Sequence, residues 1–557
     1  MLLAGVLIIG CLVALASGKF PPVLVFATTL SAAGLLGIAP SSELLSGLSS
    51  PAVVTVAAML IIASGVVHTG IVSRAGRRIF GDASTLRGAL TRLLYPIGFA
   101  SSFMNNTPII AMTIPAAQEF EQTSGIAARR LLMPVAFAAA MGGATTLVGT
   151  SSNLLIASLA GAEGIELGFF AFTPVALPTF FVGVGLLILI VRKVLRTEEI
   201  TSDNTRPWRV ELHVGAGALL QGNTLAEGGL LSARDYEATS VVRGTETVAQ
   251  TNPLDAGDVI TYEANANGVR ELWANPRFGQ KNQRLYQVTL GTGASGNLGQ
   301  LGHHNNLNIL AALDSMGELS AATARPGEVL YVTSPSVQAL ESVEEIAMVT
   351  DVGDRAPQVA KTVLALGILG AVIATLAWGK FPTEWVAATG ALAIIFCRII
   401  SARAAFRALN WNLLGVLAGS VGLGAIVVSS GIAEAIADWV VATTGSSSVS
   451  SSVTLVLIVG VVSLLLAVLV TTTAAVSIMV PIIVYVSNGL DVSPGPLLAL
   501  LAVSACLSFF NPYSNQSFMM VMGAGNYDFR DYVRLGAPVA GLTLITASLA
   551  CLFWLAY

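Results

Sequence analysis

Charge is the property that this sequence has least of. Asp, Glu, Lys and Arg together make up 11% of its 557 residues, whereas hydrophobic residues make up 54%. In a soluble protein roughly a quarter of the residues are charged. This scarcity excludes an ordinary soluble globular fold, and the long apolar runs indicate a helical protein that crosses a membrane many times.

Cysteine and histidine are also scarce, with four of each. Cys11, Cys397, Cys506 and Cys551 all lie in apolar runs without CxxC spacing, so we expect buried thiols rather than metal ligands or disulfides. The sequence contains no recognisable pair of nucleophile and base and no set of metal ligands, which predicts that the protein is not an enzyme. The slightly acidic net charge of -4 argues against a nucleic-acid partner.

What the chain has instead is a series of apolar runs near the length of about twenty residues that a helix needs to cross a bilayer. The first run lacks the basic leader of a signal peptide, so we interpret it as a span. Charge is concentrated in residues 197–355, where no span is predicted, which indicates a separate water-exposed domain. The predicted spans are 2–17, 21–38, 52–71, 88–103, 133–159, 169–191, 362–378, 385–399, 413–432, 453–470, 497–510 and 537–554.

Basic residues near the ends of the spans predict their orientation, because Lys and Arg favour the cytoplasmic side of a membrane. Placing them inside puts residues 197–355 in the cytoplasm and the spans in the plasma (inner) membrane. These basic residues are Arg74, Arg77, Arg78, Arg87, Arg92, Arg129, Arg130, Arg192, Lys193, Arg196, Arg398, Arg403, Arg407, Arg530 and Arg534.

Short sequence similarities link the two apolar halves. Val-His-Thr-Gly-Ile at 67–71 parallels Val-Ser-Ser-Gly-Ile at 428–432, and Ala-Leu-Pro at 176–178 parallels Gly-Ala-Pro at 536–538. The predicted orientation runs the related segments in opposite directions, which is the inverted repeat common in secondary transporters. Chance similarity between helices rich in Ala, Gly and Val is the alternative interpretation.

A polar break interrupts the apolar runs in the first half. Asn105, Asn106 and Thr107 precede Pro108, which removes a helical amide, and a segment rich in Gly and Thr follows at 142–153. Backbone groups freed from a helix survive at membrane depth only where they line a cavity or bind something. We therefore predict a re-entrant hairpin whose tip and following loop hold the transported solute.

The second half repeats this scheme with threonines at the tip and a polar segment at 511–517. Hydroxyl and amide groups beside the N-terminus of a half-helix favour an anion, and neutral oxygens suit Na⁺. The predicted anion ligands are Asn105, Asn106, Thr107, Ser151, Asn153, Thr471, Thr472, Thr473, Ser514 and Asn515. The predicted sodium ligands, by side chain or carbonyl, are Asn106, Thr146, Gly149, Thr150, Asn153, Thr472, Asn511, Gln516 and Ser517.

Hydrogen bonding between membrane helices is the alternative role for such residues. We favour a binding site for the clusters, because each lies beside a proline and both halves have one. The breaks contain no Asp, Glu, Lys or Arg. Because membrane proton relays normally use ionisable side chains, this composition favours sodium coupling over proton coupling.

The predicted fold class is therefore an all-α polytopic membrane protein with an inverted repeat, two re-entrant helical hairpins and an inserted β-rich α+β cytoplasmic domain. Its predicted units are scaffold helices at 1–50, a first transporter repeat with an inner hairpin at 51–196, the insert at 197–355, scaffold helices at 356–410 and a second repeat with an outer hairpin at 411–557.

In these motifs the chain resembles the divalent anion:sodium symporter family, the sodium-dependent sulfate and dicarboxylate carriers of the ion-transporter superfamily. Asn105-Asn106-Thr107 matches the family's Ser-Asn-Thr triplet with one change. Residues 142–153 fit its Gly-Gly-x-x-Thr-Leu-x-Gly-Thr-x-x-Asn segment, and 523–532 are similar to the segment before its last helix. The second half departs from the pattern: Thr471-Thr472-Thr473 lacks the asparagine, Asn511-Pro512 replaces Thr-Pro, and Phe518 lies where an asparagine is frequent.

The resemblance implies sodium-coupled symport of a divalent anion, with sulfate favoured over a C4-dicarboxylate. It also implies a homodimer in the lipid bilayer and a transport domain, carrying both hairpins, that moves like an elevator. The departures in the second half bear on the second sodium site and on the identity of the anion.

Residues 197–355 are β-rich and internally repeated. Ala-Gly-Asp-Val-Ile-Thr-Tyr at 256–262 returns as Pro-Gly-Glu-Val-Leu-Tyr-Val at 326–332. The segment looks like two tandem TrkA-C (RCK-C) modules, at about 207–275 and 283–345, which implies a dimerising insert and, less strongly, a nucleotide ligand. We expect His303 and His304 to lie in a solvated loop.

Three rival functions remain open. A cation/proton antiporter or an arsenite-type exporter of the same superfamily would be expected to use buried carboxylates, which the hairpins lack. A regulated ion channel is compatible with the insert, although no Thr-Val-Gly-Tyr-Gly filter segment is present. A membrane anion sensor would bind the anion without transporting it.

Overall fold

A computed structural model describes residues 2–17, 20–69, 85–104, 106–195, 208–352, 359–435, 438, 449–470 and 472–556, apart from short gaps at 245, 279–283, 292, 306, 314–318, 342 and 344. The first half is helical. Its helices are α1 Leu2–Ser17, α2 Pro22–Leu35, the short α3 Ser41–Leu44, α4 Pro51–His68, α5 Leu86–Ser101, α6 Asn106–Ser124, α7 Arg129–Gly143, α8 Ser151–Ala162 and α9 Thr173–Val194. The chain reverses between α5 and α6, where the first polar break is.

The insert between α9 and the second half is built on one antiparallel sheet. Its elements are β1 Trp208–His213, β2 Ser232–Ala233, β3 Tyr236–Arg243, β4 Glu246–Val248, β5 Val259–Ala264, α10 Ala266–Ala274, β6 Arg284–Leu290, α11 Leu298–Asn305, β7 Asn308–Leu313, β8 Val329–Ser334, α12 Val337–Glu341 and β9 Ile346–Asp351. The strand order is β2-β3-β5-β1-β7-β8-β6-β9, with β4 paired to β3.

The second half is again helical. It consists of α13 Val359–Trp378, α14 Thr383–Phe396, α15 Ala402–Ala408, α16 Trp411–Ser429, α17 Val449–Leu469, α18 Thr472–Leu490, α19 Pro494–Cys506, a 3₁₀ turn at Pro512–Ser514, α20 Gln516–Ala524 and α21 Phe529–Ala556. The chain reverses between α17 and α18, at the second predicted break.

The two halves share their order of helices and their packing. Helix α5 packs on α7 as α17 packs on α19, and α2 contacts α16 as α14 contacts α4. The equivalent helices α9 and α21 pack directly against each other. The predicted fold class is confirmed: this is a helical, multi-pass membrane protein with repeated halves and a β-rich insert.

Among the described residues, seven helices are long and apolar enough to cross a membrane, and shorter apolar helices accompany them. The seven are Pro51–His68, Thr173–Val194, Ala360–Trp378, Trp411–Ser429, Ser452–Leu469, Thr472–Leu490 and Phe529–Ala556. One of these, α18, was predicted only as a hairpin arm. The span predicted at 133–159 is wrong, because the segment 144–150 separates α7 from α8.

Two turns of the insert have the same geometry. Gly257 and Gly327 both have positive φ, of 94° and 78°. Each turn is closed by an acidic side chain that accepts a backbone N–H three residues earlier, at 2.8 Å for Asp258 and 3.0 Å for Glu328. Asp258 also binds the Arg243 guanidinium at 2.8 Å, and this contact lowers the pKa of its carboxyl.

The second of these turns, residues 325–328, lies on the transporter body instead of in open solvent. It packs on α20, where a Cβ on Gly523 would lie 2.0 Å from the Pro326 carbonyl oxygen. Nearby, the Thr289 hydroxyl on β6 donates to the Ala111 carbonyl of α6 at 3.3 Å. The insert therefore contacts both half-helices, α6 and α20, that follow the polar breaks.

Helix α11 corrects one expectation about the insert. His303 and His304 have exposed side chains, as expected, but their backbone is helical and not a loop. The helix forms because Leu298 and Leu301 on its other face are buried against the sheet.

Candidate functional site

The first hairpin tip is held by side chains on both sides of the reversal. The Ser101 hydroxyl donates to Asn106 Oδ1, so the end of α5 is tied to the start of α6. Ser102 donates to the Gly142 carbonyl at 3.0 Å and accepts from the Thr145 hydroxyl at 2.8 Å. These bonds join the tip to the break between α7 and α8.

Two glycines allow that break to pack tightly. A Cβ on Gly149 would lie 2.3 Å from the Gly143 carbonyl oxygen, and a Cβ on Gly143 would lie 3.0 Å from Asn106 Oδ1. Real side chains do not fit at such distances. The Gly-rich composition of the segment therefore places the break directly against the tip.

Asn153 organises the backbone of the break from inside the protein. Its side chain is fully buried, and its Nδ2 donates to the Thr146 carbonyl at 2.7 Å and the Ala144 carbonyl at 3.2 Å. The freed carbonyls of the break are thus partly satisfied by one amide. The Oδ1 atom of the same amide is buried and has no partner in the described part of the chain.

The second break is held differently. Asn511 Nδ2 donates to the Val468 carbonyl at 2.8 Å, and Asn511 Oδ1 accepts the Tyr513 amide at 3.0 Å. Both polar atoms of this predicted sodium ligand are therefore engaged within the protein. The Ser514 hydroxyl donates to the Asn511 carbonyl at 2.7 Å and lies 2.9 Å from the Ser508 hydroxyl.

Aromatic rings occupy the place where the resemblance leads one to expect an asparagine. Phe518 is fully buried, and its ring centroid lies 5.3 Å from that of Phe137 and 5.9 Å from that of Phe509. Phe137 and Phe509 stack at 4.4 Å. The second break is therefore supported by an apolar cluster, where the first is supported by the Asn153 amide.

The N-termini of four half-helices meet at one cavity of about 1910 Å³. These helices are α6 and α8 from the first half and α18 and α20 from the second. The lining residues at their N-termini are Asn106, Thr107, Thr150, Ser151, Ser152, Thr472, Thr473, Ser514, Asn515 and Gln516. Free N–H groups and the positive dipole ends of helices favour an anion at such a place.

The cavity brings together most of the predicted ligands. Four others, Thr146, Gly149, Asn511 and Asn153, belong to the breaks but are not among the residues that line it. Ser517 is also absent from the lining and is buried behind it. Asn105 and Thr471 lie outside the described residues.

Sequence reasoning missed several lining residues. Cys506, assigned as an ordinary buried thiol, and Tyr513 line the cavity beside the hairpin tips. Basic side chains from distant parts of the chain line it as well. They are Arg270, Arg284, Lys361, Arg398, Arg403 and Arg407. Arg398, Arg403 and Arg407 were noted in the sequence because they lie near the end of a predicted span. No feature of the sequence predicted a role for Arg270 or Arg284.

The charged side chains that line the cavity, among the described residues, are all basic. No Asp or Glu from the described residues lines it. A dianion entering it therefore meets cations, hydroxyls and helix N-termini, without an opposing carboxylate. The same composition leaves no acidic side chain at the hairpin tips to relay protons.

Two buried oxygens at the breaks lack a hydrogen-bond partner within the described ranges. They are Asn153 Oδ1 behind the first break and Ser517 Oγ behind the second. Buried polar atoms are normally hydrogen-bonded, so such exceptions require an explanation. A sodium ion bound by neutral oxygens is compatible with both.

Comparison with known proteins agrees with a transporter. A family profile described as "Citrate transporter" matches residues 12–457 and 373–557. An uncharacterised transporter of Synechocystis is 25% identical over 93% of this chain and 92% of its own length.

Two further similarities are weaker, one because it covers less of the chain and the other because its sequence identity is lower. The sodium/sulfate cotransporter 1 of Chlamydomonas reinhardtii is 25% identical over 39% of this chain and 25% of its own length. Among solved structures, the YdaH transporter of Alcanivorax borkumensis is 14% identical with a TM-score of 0.48, over 92% of this chain and 88% of that one.

Proposed function

Because the chain belongs to the citrate transporter family, we propose that it is a sodium-coupled symporter of a divalent anion, and that sulfate is its preferred substrate over a C4-dicarboxylate. The observation that carries this proposal is the convergence of four half-helix N-termini on one cavity that no described carboxylate lines. The sodium/sulfate cotransporter of Chlamydomonas supports the choice of sulfate and sodium.

The anion is held by hydroxyl, amide and backbone N–H groups from both halves. Asn106 and Thr107 contribute such groups from the first tip, and Thr472 and Thr473 contribute them from the second. Sulfate is a hydrogen-bond acceptor with two negative charges, so donors without carboxylates suit it. Hydrogen bonds that involve an ionised group contribute about 1.5–3 kcal/mol each.

Sodium binds beside the anion, at the oxygens of the two breaks. Asn153 Oδ1 is the best candidate ligand in the first half, because it is buried and otherwise unpartnered. The second half offers the Ser517 hydroxyl, with the rings around Phe518 nearby. We therefore infer that the first sodium site is the stronger one.

Movement and assembly follow the resemblance to elevator-type carriers. We propose a homodimer in which the two hairpins and the paired helices α9 and α21 move as one transport domain. The insert, residues 197–355, is proposed to lie in the cytoplasm as two tandem TrkA-C-like modules. Cysteine pairs placed across the boundary between α16 and α18, which are in contact, test the movement by state-dependent cross-linking.

Transport in proteoliposomes tests the function. We expect radiolabelled sulfate to accumulate when sodium is higher outside, to a greater extent than succinate or citrate, and choline to give no accumulation. Absence of sodium-dependent accumulation of any of the three anions contradicts the proposal. Accumulation driven by a proton gradient alone would indicate a proton-coupled carrier, binding without transport a sensor, and single-channel currents in planar bilayers a channel.

A matched pair of threonine variants tests the site. Thr472→Val keeps the side-chain shape and removes one hydroxyl from the cavity. The control, Thr375→Val, removes an exposed hydroxyl that bonds only the Ala371 carbonyl of its own helix, at 2.8 Å. We expect the KM for sulfate to rise about tenfold to a hundredfold in the first variant and to stay unchanged in the second. Equal KM values in both would show that the site is elsewhere.

A further inference from the structure

The cavity that contains the hairpin tips has a wall supplied by the insert. Arg270 on α10, Arg284 on β6 and Ser336 before α12 line it together with Asn106 and Thr472. A separate regulatory domain would not be expected to contribute side chains to the space next to a solute site. In this chain the insert encloses part of that space.

Another part of the cavity lining comes from the junction between α14 and α16. Arg398, Arg403 and Arg407 project from this short stretch of the scaffold, and Lys361 near the start of α13 adds a fourth cation. The insert and the scaffold therefore place basic residues around the same cavity. Two segments that are far apart in sequence contribute the same charge.

Arg270 and Arg284 differ from Arg243 of the same insert. Arg243 is neutralised by Asp255 at 2.6 Å and Asp258 at 2.8 Å. Within the described ranges, neither Arg270 nor Arg284 forms an ion pair with a carboxylate. Both residues are exposed and line the cavity. Their positive charge is therefore available to a mobile anion.

The contacts of the insert with the transporter body keep this wall in place. Thr289 lies five residues after Arg284 on the same strand, and its hydroxyl donates a hydrogen bond to the Ala111 carbonyl. The turn at 325–328 packs on α20, and β8, which follows it, pairs with β6. The strand that carries Arg284 is thus fixed against α6 by one of its own residues.

We propose that the insert is part of the anion pathway: Arg270 and Arg284 attract the divalent anion into the cavity and set its apparent affinity on the side of the protein where the insert lies. This inference rests on the proposed anion transport. Cations around a low-dielectric cleft raise the local concentration of an anion and its rate of association. The effect weakens with salt, because the Debye length falls from about 10 Å at 0.1 M to about 3 Å at 1 M.

The test compares charge variants by their KM for sulfate from the side of the insert, at constant sodium. For the double variant Arg270→Gln/Arg284→Gln we expect KM to rise roughly 3- to 10-fold at low ionic strength, since the two charges act on the dianion through water and counter-ions. The maximal rate should stay within about twofold. Added choline chloride should remove the difference between variant and wild type.

Two further variants separate this role from a structural one. Arg284→Lys keeps the positive charge. Combined with Arg270→Gln, it should restore most of the sulfate affinity that the double glutamine variant loses. Arg234→Glu changes the net charge as much as the double variant does, but Arg234 is exposed and does not line the cavity. It should leave KM unchanged. Thermal unfolding midpoints of all variants, measured in the same detergent, show whether the fold is retained.

The outcomes are distinguishable from failure of the proposed function. If the wild-type protein accumulates no anion, the proposed function itself is wrong. If the wild type transports sulfate and the double variant keeps the wild-type KM at low salt, the insert is not part of the pathway. An equal rise of KM in Arg234→Glu also overturns the proposal, since a general charge effect would then be responsible. If the double variant unfolds, the single variants Arg284→Lys and Arg284→Glu replace it. The proposal then requires a higher KM for sulfate in Arg284→Glu than in Arg284→Lys, and equal KM values overturn it.

Discussion

Gly327 of the insert lies directly on the backbone of Met520 in helix α20. A Cβ at Gly327 would be 1.7 Å from the Met520 carbonyl oxygen, and the backbone φ of 78° is one that residues with a side chain rarely adopt. Helix α20 begins at Gln516, which lines the cavity of the candidate site. The insert is therefore in backbone contact with a helix of the candidate site.

Replacing this glycine should separate the insert from α20. In Gly327→Ala the new methyl group would clash with the Met520 carbonyl. The left-handed backbone conformation would cost about a further 1–2 kcal/mol for a residue with a side chain. The control is Gly257→Ala in the equivalent turn, where φ is 94° and a Cβ would meet nothing within 4 Å. We expect faster hydrogen exchange in α20 and slower sulfate uptake only in Gly327→Ala. Similar effects of both variants would mean that backbone strain, and not the contact, is responsible.

The contact should also depend on pH through Glu328. Burial raises the pKa of this carboxyl from 4.5 to about 7, partly offset by the Arg325 amide and charge. Helix α20, from Gln516 to Ala524, carries no ionisable side chain. Because the pKa is raised in the docked state, the protonated form favours docking. The contact should therefore weaken as pH rises from about 4.5 to about 7.

Hydrogen exchange of residues 516–524 at several pH values checks this expectation. Glu328→Gln cannot ionise and should make exchange in α20 independent of that group. Glu227→Gln, which removes an exposed carboxyl elsewhere in the insert, is the control. Wild-type protection factors, that is, exchange rates corrected for the intrinsic effect of pH, that do not change between pH 5 and pH 8 would rule out titration of Glu328 as a determinant of docking.

Asn153 should couple sodium binding to the stability of the first break. Asn153→Ala removes bonds to the Thr146 and Ala144 carbonyls, and we expect a loss of about 1–3 kcal/mol in the free energy of unfolding. It should also abolish the rise in unfolding temperature that sodium causes by binding the folded state.

The control for this variant is Ser487→Ala. Its hydroxyl is likewise buried and without a partner among the described residues, but it lies near the far end of α18. Sodium, compared with choline at equal ionic strength, should stabilise Ser487→Ala as it does the wild type. A full sodium response in Asn153→Ala would place the ion elsewhere.

The pair of Arg129 and Asp531 should hold the two halves together at one end. Their side chains meet at 2.5 Å between α7 and α21, and both are largely buried. The Tyr527 hydroxyl next to them accepts the Met133 amide at 3.0 Å. Asp531→Asn leaves the arginine without its counter-charge and should reduce stability by about 1–3 kcal/mol, measured by thermal unfolding. A double-mutant cycle with Arg129→Met isolates the interaction, and a coupling energy near zero would contradict it.

The sequence was sufficient to locate the breaks but not to show what surrounds them. Pro108 and the glycines at 142–149 disfavour a continuous membrane helix, whatever lies around them. Gly257 and Gly327, by contrast, occur in nearly the same sequence, yet one turn faces open space and the other meets α20. Contacts between distant segments decide that difference.

The same reason explains the residues that were missed. Cys506 lies in an ordinary apolar run, and Arg270 and Arg284 belong to a domain that looks separate from the membrane helices. Only the three-dimensional arrangement brings them to one cavity. The role of Asn511 was also beyond the sequence, since its amide is engaged by Val468, a residue more than forty positions away.

The ring cluster of Phe137, Phe509 and Phe518 has a consequence for the proposed transport cycle. A carrier built from two opposed copies of one unit has equally stable conformations facing either side only when the copies are chemically alike. Here the first break is held by the Asn153 amide, whereas the second is held by the Asn511 amide and packs beside the rings of Phe509 and Phe518, so we expect the two conformations to differ in free energy. For the proposed carrier we therefore expect the unloaded protein to rest with one face open and the net flux to be unequal in the two directions under matched gradients.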